Sequence, residues 1–152
     1  MNPGATLVGA LAALAGAASS PGPASARAEA QEWVVDAIPR PAGSASAVDL
    51  HLVSRAGYHV NMEYPMAFVP SPEATVKFQG VRVPLRPGST APCQGDGKEV
   101  CSVSLVLPYV PPPSGSARVA GVFAFSVCSA ERCLIQKVPL SITAGLPPPA
   151  RN

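Results

Sequence analysis

Cys128 and Cys133 are separated by four residues in the stretch FAFSVCSAERCLIQKVPLSI, where one apolar run stops and another begins. Phe123, Phe125 and Val127 alternate with Ala124, Ser126 and Cys128 before the gap; Leu134, Gln136 and Val138 alternate with Cys133, Ile135 and Lys137 after it. This two-residue period predicts a pair of strands, and a Ser129 to Arg132 connection then sets the two cysteines face to face at a hairpin neck. Opposed residues of a non-hydrogen-bonded pair lie about 4.5 Å apart at Cα, close enough for a disulfide. Cys93 and Cys101 form a second pair around the flexible segment QGDGKEV.

Three chemistries compete for these cysteines. As structural staples, each bridge adds about 2 to 3 kcal/mol by restricting the unfolded chain. As a redox pair, a solvent-accessible bridge at a hairpin neck is open to attack by a partner's thiolate. Arg132 and Lys137 are close in sequence and favour a thiolate, while Glu131 opposes them. As zinc ligands, the cysteines fit poorly: successive gaps of seven, twenty-six and four residues do not match CxxC knuckles.

Other residues carry less. His59, Met62 and Met66 in HVNMEYPM combine imidazole and thioether, a copper(I) set, but in an extended segment His59 and Met62 point to opposite faces. The histidines are His51 and His59, and no G-x-S-x-G elbow exposes a serine, so no catalytic triad is legible. His51 alternates within a strand and is expected at its surface or rim. Trp33 is expected as a core anchor. No cofactor or metal is assigned.

Residues 5–18 form a charge-free run of small and apolar residues, shorter than the roughly 20 needed to span a bilayer. The A-x-A patterns at Ala24 to Ala28 follow it, so residues 1–28 read as a secretory signal peptide and cleavage region, although no Lys or Arg precedes the run. No lipobox cysteine accompanies it. The remainder predicts one domain over residues 29–145 and a disordered tail over 146–152. It is expected to be periplasmic or secreted and not membrane-spanning after cleavage, in a compartment where disulfides persist. A net charge of +2, with 13% charged residues and scattered arginines, argues against nucleic acid as a partner.

Nineteen prolines and thirteen glycines punctuate apolar blocks, which predicts many turns and few helices. Residues 32–38 read as a strand. Residues 47–60 read as another, with Val48, Leu50 and Leu52 on one face and a bend at Ala56-Gly57. The proline-broken segment NMEYPMAFVPSPE predicts a loop or edge strand carrying Tyr64 and Phe68 inward. Residues 74–78 and 81–85 read as a hairpin about Gln79-Gly80. Residues 100–110 form a strand with Val103, Leu105 and Leu107 on one face, and residues 118–127 and 134–143 form the last pair. About seven or eight short strands predict an all-β, immunoglobulin-like antiparallel sandwich, with a small barrel as the alternative.

The terminal segment VFAFSVCSAERCLIQKVPLSI, together with GYHVNMEYPMAF at residues 57–68, resembles the N-terminal periplasmic domain of the thiol:disulfide interchange protein DsbD and its secreted relatives. The resemblance covers residues 32 to 143. It implies an immunoglobulin-like sandwich whose active cysteines lie on neighbouring strands near the C-terminal end. By position these are Cys128 and Cys133. It further implies electron transfer to partner thiol:disulfide oxidoreductases, or from a separately encoded membrane reductant. Tyr58, Tyr64 and Tyr109 then have two readings: a cap over the cysteines, as aromatics form in that family, or sandwich packing. Three features depart from the pattern: the spacing between Cys128 and Cys133 is one residue shorter, Leu134-Ile135-Gln136 follows the second cysteine where the family has a Tyr-Pro type stretch, and the pair Cys93 and Cys101 has no counterpart. The reading from a different class is a non-catalytic binding or adaptor sandwich whose two bridges are purely structural.

Overall fold

Val35 and Ala37, Leu50 and Leu52, Val103 and Leu105 recur every second residue along three neighbouring segments, and all six are buried. That is the period of a strand with one face on a core. The computed structural model describes residues 25–41, 44–95 and 97–145. The expected signal peptide falls largely in residues 1–24 and the tail in 146–152, both outside the described residues.

The described residues contain ten strands in two antiparallel sheets and no helix. They are β1 (Ala26–Glu29), β2 (Trp33–Pro39), β3 (Ala47–Ser54), β4 (His59–Val60) and β5 (Ala67–Pro70), then β6 (Val83–Pro84), β7 (Pro87–Pro92), β8 (Val100–Pro108), β9 (Ala117–Cys128) and β10 (Cys133–Ala144). One sheet runs β1-β2-β3-β8-β7 and the other β10-β9-β5-β6, with β4 also paired to β9. The boundary expected between residues 28 and 29 falls inside β1.

Register aligns the buried residues in rows across the first sheet. Val35 opposes Leu52, which opposes Val103; Ala37 opposes Leu50, which opposes Leu105. The second sheet answers with Phe68, Val119, Phe123, Phe125, Val138 and Leu140, and both inner faces share one core. Trp33 is the expected anchor: it is 6% exposed and meets Phe125 edge-on at a centroid distance of 5.2 Å. On the solvent side of the first sheet, His51 Nδ1 lies 3.0 Å from Ser104 Oγ, so this histidine is held at the surface, as expected.

Three local readings need correction. The segment expected as one bent strand over 47–60 is two strands in different sheets. Ala56 and Gly57 both adopt positive φ, at 56° and 80°, and this tight turn carries the chain from β3 across to β4. The hairpin expected about Gln79-Gly80 is absent. Two-residue hairpins favour turns with positive φ at a central residue, and Gly80 does not adopt it. Instead Lys77 exchanges backbone hydrogen bonds with Val110, while Val83 pairs with Phe68 on β5. Finally, β5 is not an edge: it lies between β9 and β6, and Pro70 sits at its end, where a missing N–H costs least. Phe68 points inward as expected, whereas Tyr64 is only half-buried.

Candidate functional site

Along β9 the odd-numbered residues Phe123, Phe125 and Val127 enter the core, so Cys128 turns to the outer face of its sheet. Cys133 opposes it at the start of β10, and Leu134 opposes Val127 on the inner face. The two cysteines are joined by a disulfide with their Cα atoms 4.0 Å apart, and Cys93 and Cys101 form the second bridge, at 4.6 Å. The hairpin tip is closed by Ser129. Its N–H donates to the Arg132 carbonyl at 2.8 Å, and its hydroxyl accepts from the N–H groups of Glu131 and Arg132 at 3.2 and 3.3 Å. A serine that satisfies its own turn in this way needs no glycine at the tip.

The neighbour of Cys128 on its other side is His59. β4 pairs with β9 so that His59 opposes Cys128 and Val60 opposes Val127. The ladder continues through the Asn61 N–H, which donates to the Ser126 carbonyl at 2.9 Å. His59, Cys128 and Cys133 thus form one row across three strands, on the outer face. Opposed side chains in such a row have Cβ atoms about 4.5 to 5.5 Å apart. His59 Nδ1 also lies 3.5 Å from Glu99 Oε2.

Glu99 belongs to the loop that the second bridge closes. The Cys93 N–H donates to the Glu99 carbonyl at 2.8 Å, and the Cys101 sulfur lies 3.7 Å from the Tyr58 carbonyl. The Cys93–Cys101 bridge therefore presents Lys98, Glu99 and Val100 to the first bridge. Between them lies a cleft of about 530 Å³ whose walls include His59, Met62, Lys98, Glu99, Cys128 and Cys133. Of the four cysteines, only Cys133 is exposed, while Cys128 is 6% exposed. A second groove, about 480 Å³ on the outside of β9 and β10, has Glu73 as its sole ionisable lining residue.

The cations expected near the sulfurs are placed differently from the sequence reading. Arg132 donates from Nε to the Tyr58 hydroxyl at 3.1 Å and is not among the residues that wall the cleft. That bond, with Glu32 and Glu131 nearby, raises its guanidinium pKa further. Lys137 stands four residues down β10, about 13 Å along the strand from Cys133. His59 and Lys98 line the cleft instead. Tyr58 pins the hairpin through Arg132 and packs on the core, and Tyr109 is buried.

His59 and Met62 also share the cleft wall, contrary to the expectation for an extended chain. β4 ends at Val60, and Asn61 reverses the backbone: its carbonyl accepts from the Tyr64 N–H at 3.3 Å and its side-chain oxygen from the Glu63 N–H at 3.2 Å. Met62 rides on that turn, whereas Met66 is buried in the core.

Fold and site together define an all-β domain of two antiparallel sheets with a disulfide at the neck of its last hairpin. Comparison with protein-family models, with curated proteins and with solved structures gave no match.

Proposed function

We propose that this chain is a secreted thiol–disulfide interchange domain, immunoglobulin-like and similar to the N-terminal domain of DsbD, that exchanges electrons with partner thiol proteins through Cys128 and Cys133. The observation that carries the reading is the asymmetry of the bridge: exposed Cys133 is joined to buried Cys128, which has His59 as its opposite neighbour. The all-β architecture of two packed antiparallel sheets supports the immunoglobulin-like assignment.

An incoming thiolate attacks the exposed sulfur of Cys133. The S–S bond breaks, and its electron pair leaves on Cys128 as a thiolate beside His59. A second thiol of the partner then attacks its own sulfur in the mixed disulfide and releases Cys133 as a thiolate. The domain ends as a dithiol, and the partner ends with a disulfide. The reverse sequence reduces an oxidised partner, with Cys128 as the resolving thiolate. The His59 imidazole, held 3.5 Å from Glu99 Oε2 through Nδ1, stands next to the thiolate formed there.

One observation favours the adaptor reading instead: β10 is a twelve-residue edge strand, open along one side in the sheet order. The reduction potential of the Cys128–Cys133 bridge, measured with Cys93 and Cys101 changed to serine, separates the two. A value above about −300 mV is expected for an exchanging bridge, and one below it marks an inert structural bond and ends the interchange reading.

A further inference from the structure

The cleft gathers a second chemistry that the disulfide conceals. Among the described residues, no three His, Cys, Asp or Glu side chains are poised as a metal site. That is the oxidised state, in which neither Cys128 nor Cys133 has a thiolate to offer. Reduction adds two soft sulfur ligands to a wall that already carries the Met62 thioether and the His59 imidazole. Thiolate and thioether select copper(I) over harder divalent ions, and imidazole is compatible with it.

We propose that the reduced cleft is a copper(I) site, with the Cys128 and Cys133 thiolates as primary ligands and Met62 and His59 completing the set. Their placement favours this in three ways. Cys128 and Cys133 are directly opposed across one strand pair, so both sulfurs stay adjacent after the bond opens. His59 follows Cys128 in the same row, and Met62 comes from the turn just beyond β4. Glu99 faces His59 Nδ1 at 3.5 Å, the carboxylate partner that orients metal-bound imidazoles and leaves Nε2 for the metal.

The reaction balances in two steps. A dithiol reductant gives two electrons and two protons to the bridge and becomes a disulfide. Copper(I) then displaces the two thiol protons without changing its oxidation state. The site rests on the reducibility of the bridge assumed above, so it exists in one redox state only.

The test starts from protein reduced and freed of reductant without oxygen, in the Cys93→Ser, Cys101→Ser background, with two thiols counted. It is then titrated with copper(I) against a chromophoric copper(I) chelator. One equivalent is expected in the reduced protein and none in the oxidised protein. Met62→Leu and Glu99→Gln should each weaken binding by about tenfold or more. If the double-serine background does not fold, the reduced wild-type chain beside Cys128→Ser reads the same site. Unchanged affinity in both Met62→Leu and Glu99→Gln, or a preference for zinc(II), overturns the proposal. Thiols that form but hold no copper(I) overturn the metal site and leave thiol exchange standing. Copper(I) binding without exchange does the reverse, and a bridge that resists reduction ends both.

Discussion

His59 and Cys128 are opposed residues on adjacent antiparallel strands, while the disulfide partner Cys133 opposes Cys128 from the other side. The bridge therefore has a titratable imidazole next to its buried sulfur and solvent next to its exposed one. In the proposed exchange this arrangement divides the labour between the two cysteines: access selects Cys133 for attack, and Cys128 leaves beside the imidazole.

Replacing His59 by Gln is expected to slow reduction of the bridge by a small dithiol by about tenfold, as a poorer leaving thiolate would. The strand pairing survives because Val60 still enters the core opposite Val127. Stopped-flow reduction of the two proteins by the same dithiol checks it. Equal rates for both proteins would remove His59 from the mechanism.

The two cysteines should behave differently when each is changed alone. Cys128→Ser leaves the exposed Cys133 thiol and is expected to accumulate a mixed disulfide with an oxidised dithiol partner. Cys133→Ser leaves only buried Cys128 and should trap roughly tenfold less. Non-reducing electrophoresis with mass analysis of the adduct reads the difference, and equal trapping would contradict the assignment of the attacked sulfur.

The sequence made the strands legible where apolar residues alternate without interruption. β3, β8, β9 and β10 follow directly from Val48 to Leu52, Val103 to Leu107, Phe123 to Val127 and Leu134 to Val138. The opposition of Cys128 and Cys133 followed too, because a short connection fixes local register. β7 gave no signal: every residue of PGSTAP is exposed, so no apolar face marks it, and its prolines suit a sheet edge. The row from His59 to Cys133 was hidden for a different reason. It depends on the Ala56-Gly57 turn changing sheets and on register between strands distant in sequence, which periodicity does not encode. Glu99 was hidden likewise, since only the closed Cys93–Cys101 loop brings it to His59.

Tyr109 sets an alkaline limit on stability. Burial raises its phenol pKa above the ordinary value of 10.0. A folded-state pKa above the unfolded one means that the folded protein holds its proton longer. The associated stability is full below the unfolded pKa and is lost as pH rises through the folded one. Unfolding midpoints in urea are expected to fall above about pH 10 more steeply than in Tyr109→Phe. Parallel curves for the two proteins would show that Tyr109 is not responsible.

Gly121 is the glycine whose missing side chain the core requires. It lies on β9 opposite Pro70 of β5 and Leu140 of β10. A Cβ built there would collide with the Val69 carbonyl oxygen and come within 2.6 Å of the Phe68 ring. Phe68 is fully buried and cannot swing out, and the Val69 oxygen belongs to the backbone. Gly121→Ala is therefore expected to destabilise the domain by about 1 to 3 kcal/mol, the cost of overpacking a close-packed interior. Gly80→Ala is the matched control: its nearest neighbour is the Arg82 carbonyl at 3.8 Å and its φ is not positive, so its cost should stay within about 0.5 kcal/mol. Adding Phe68→Leu to Gly121→Ala relieves only the ring contact, so stability should not return to that of Phe68→Leu alone. Urea unfolding of the wild-type protein and the four variants decides it. A Gly121→Ala variant as stable as Gly80→Ala would mean that β5 and β9 pack less closely than the structure places them.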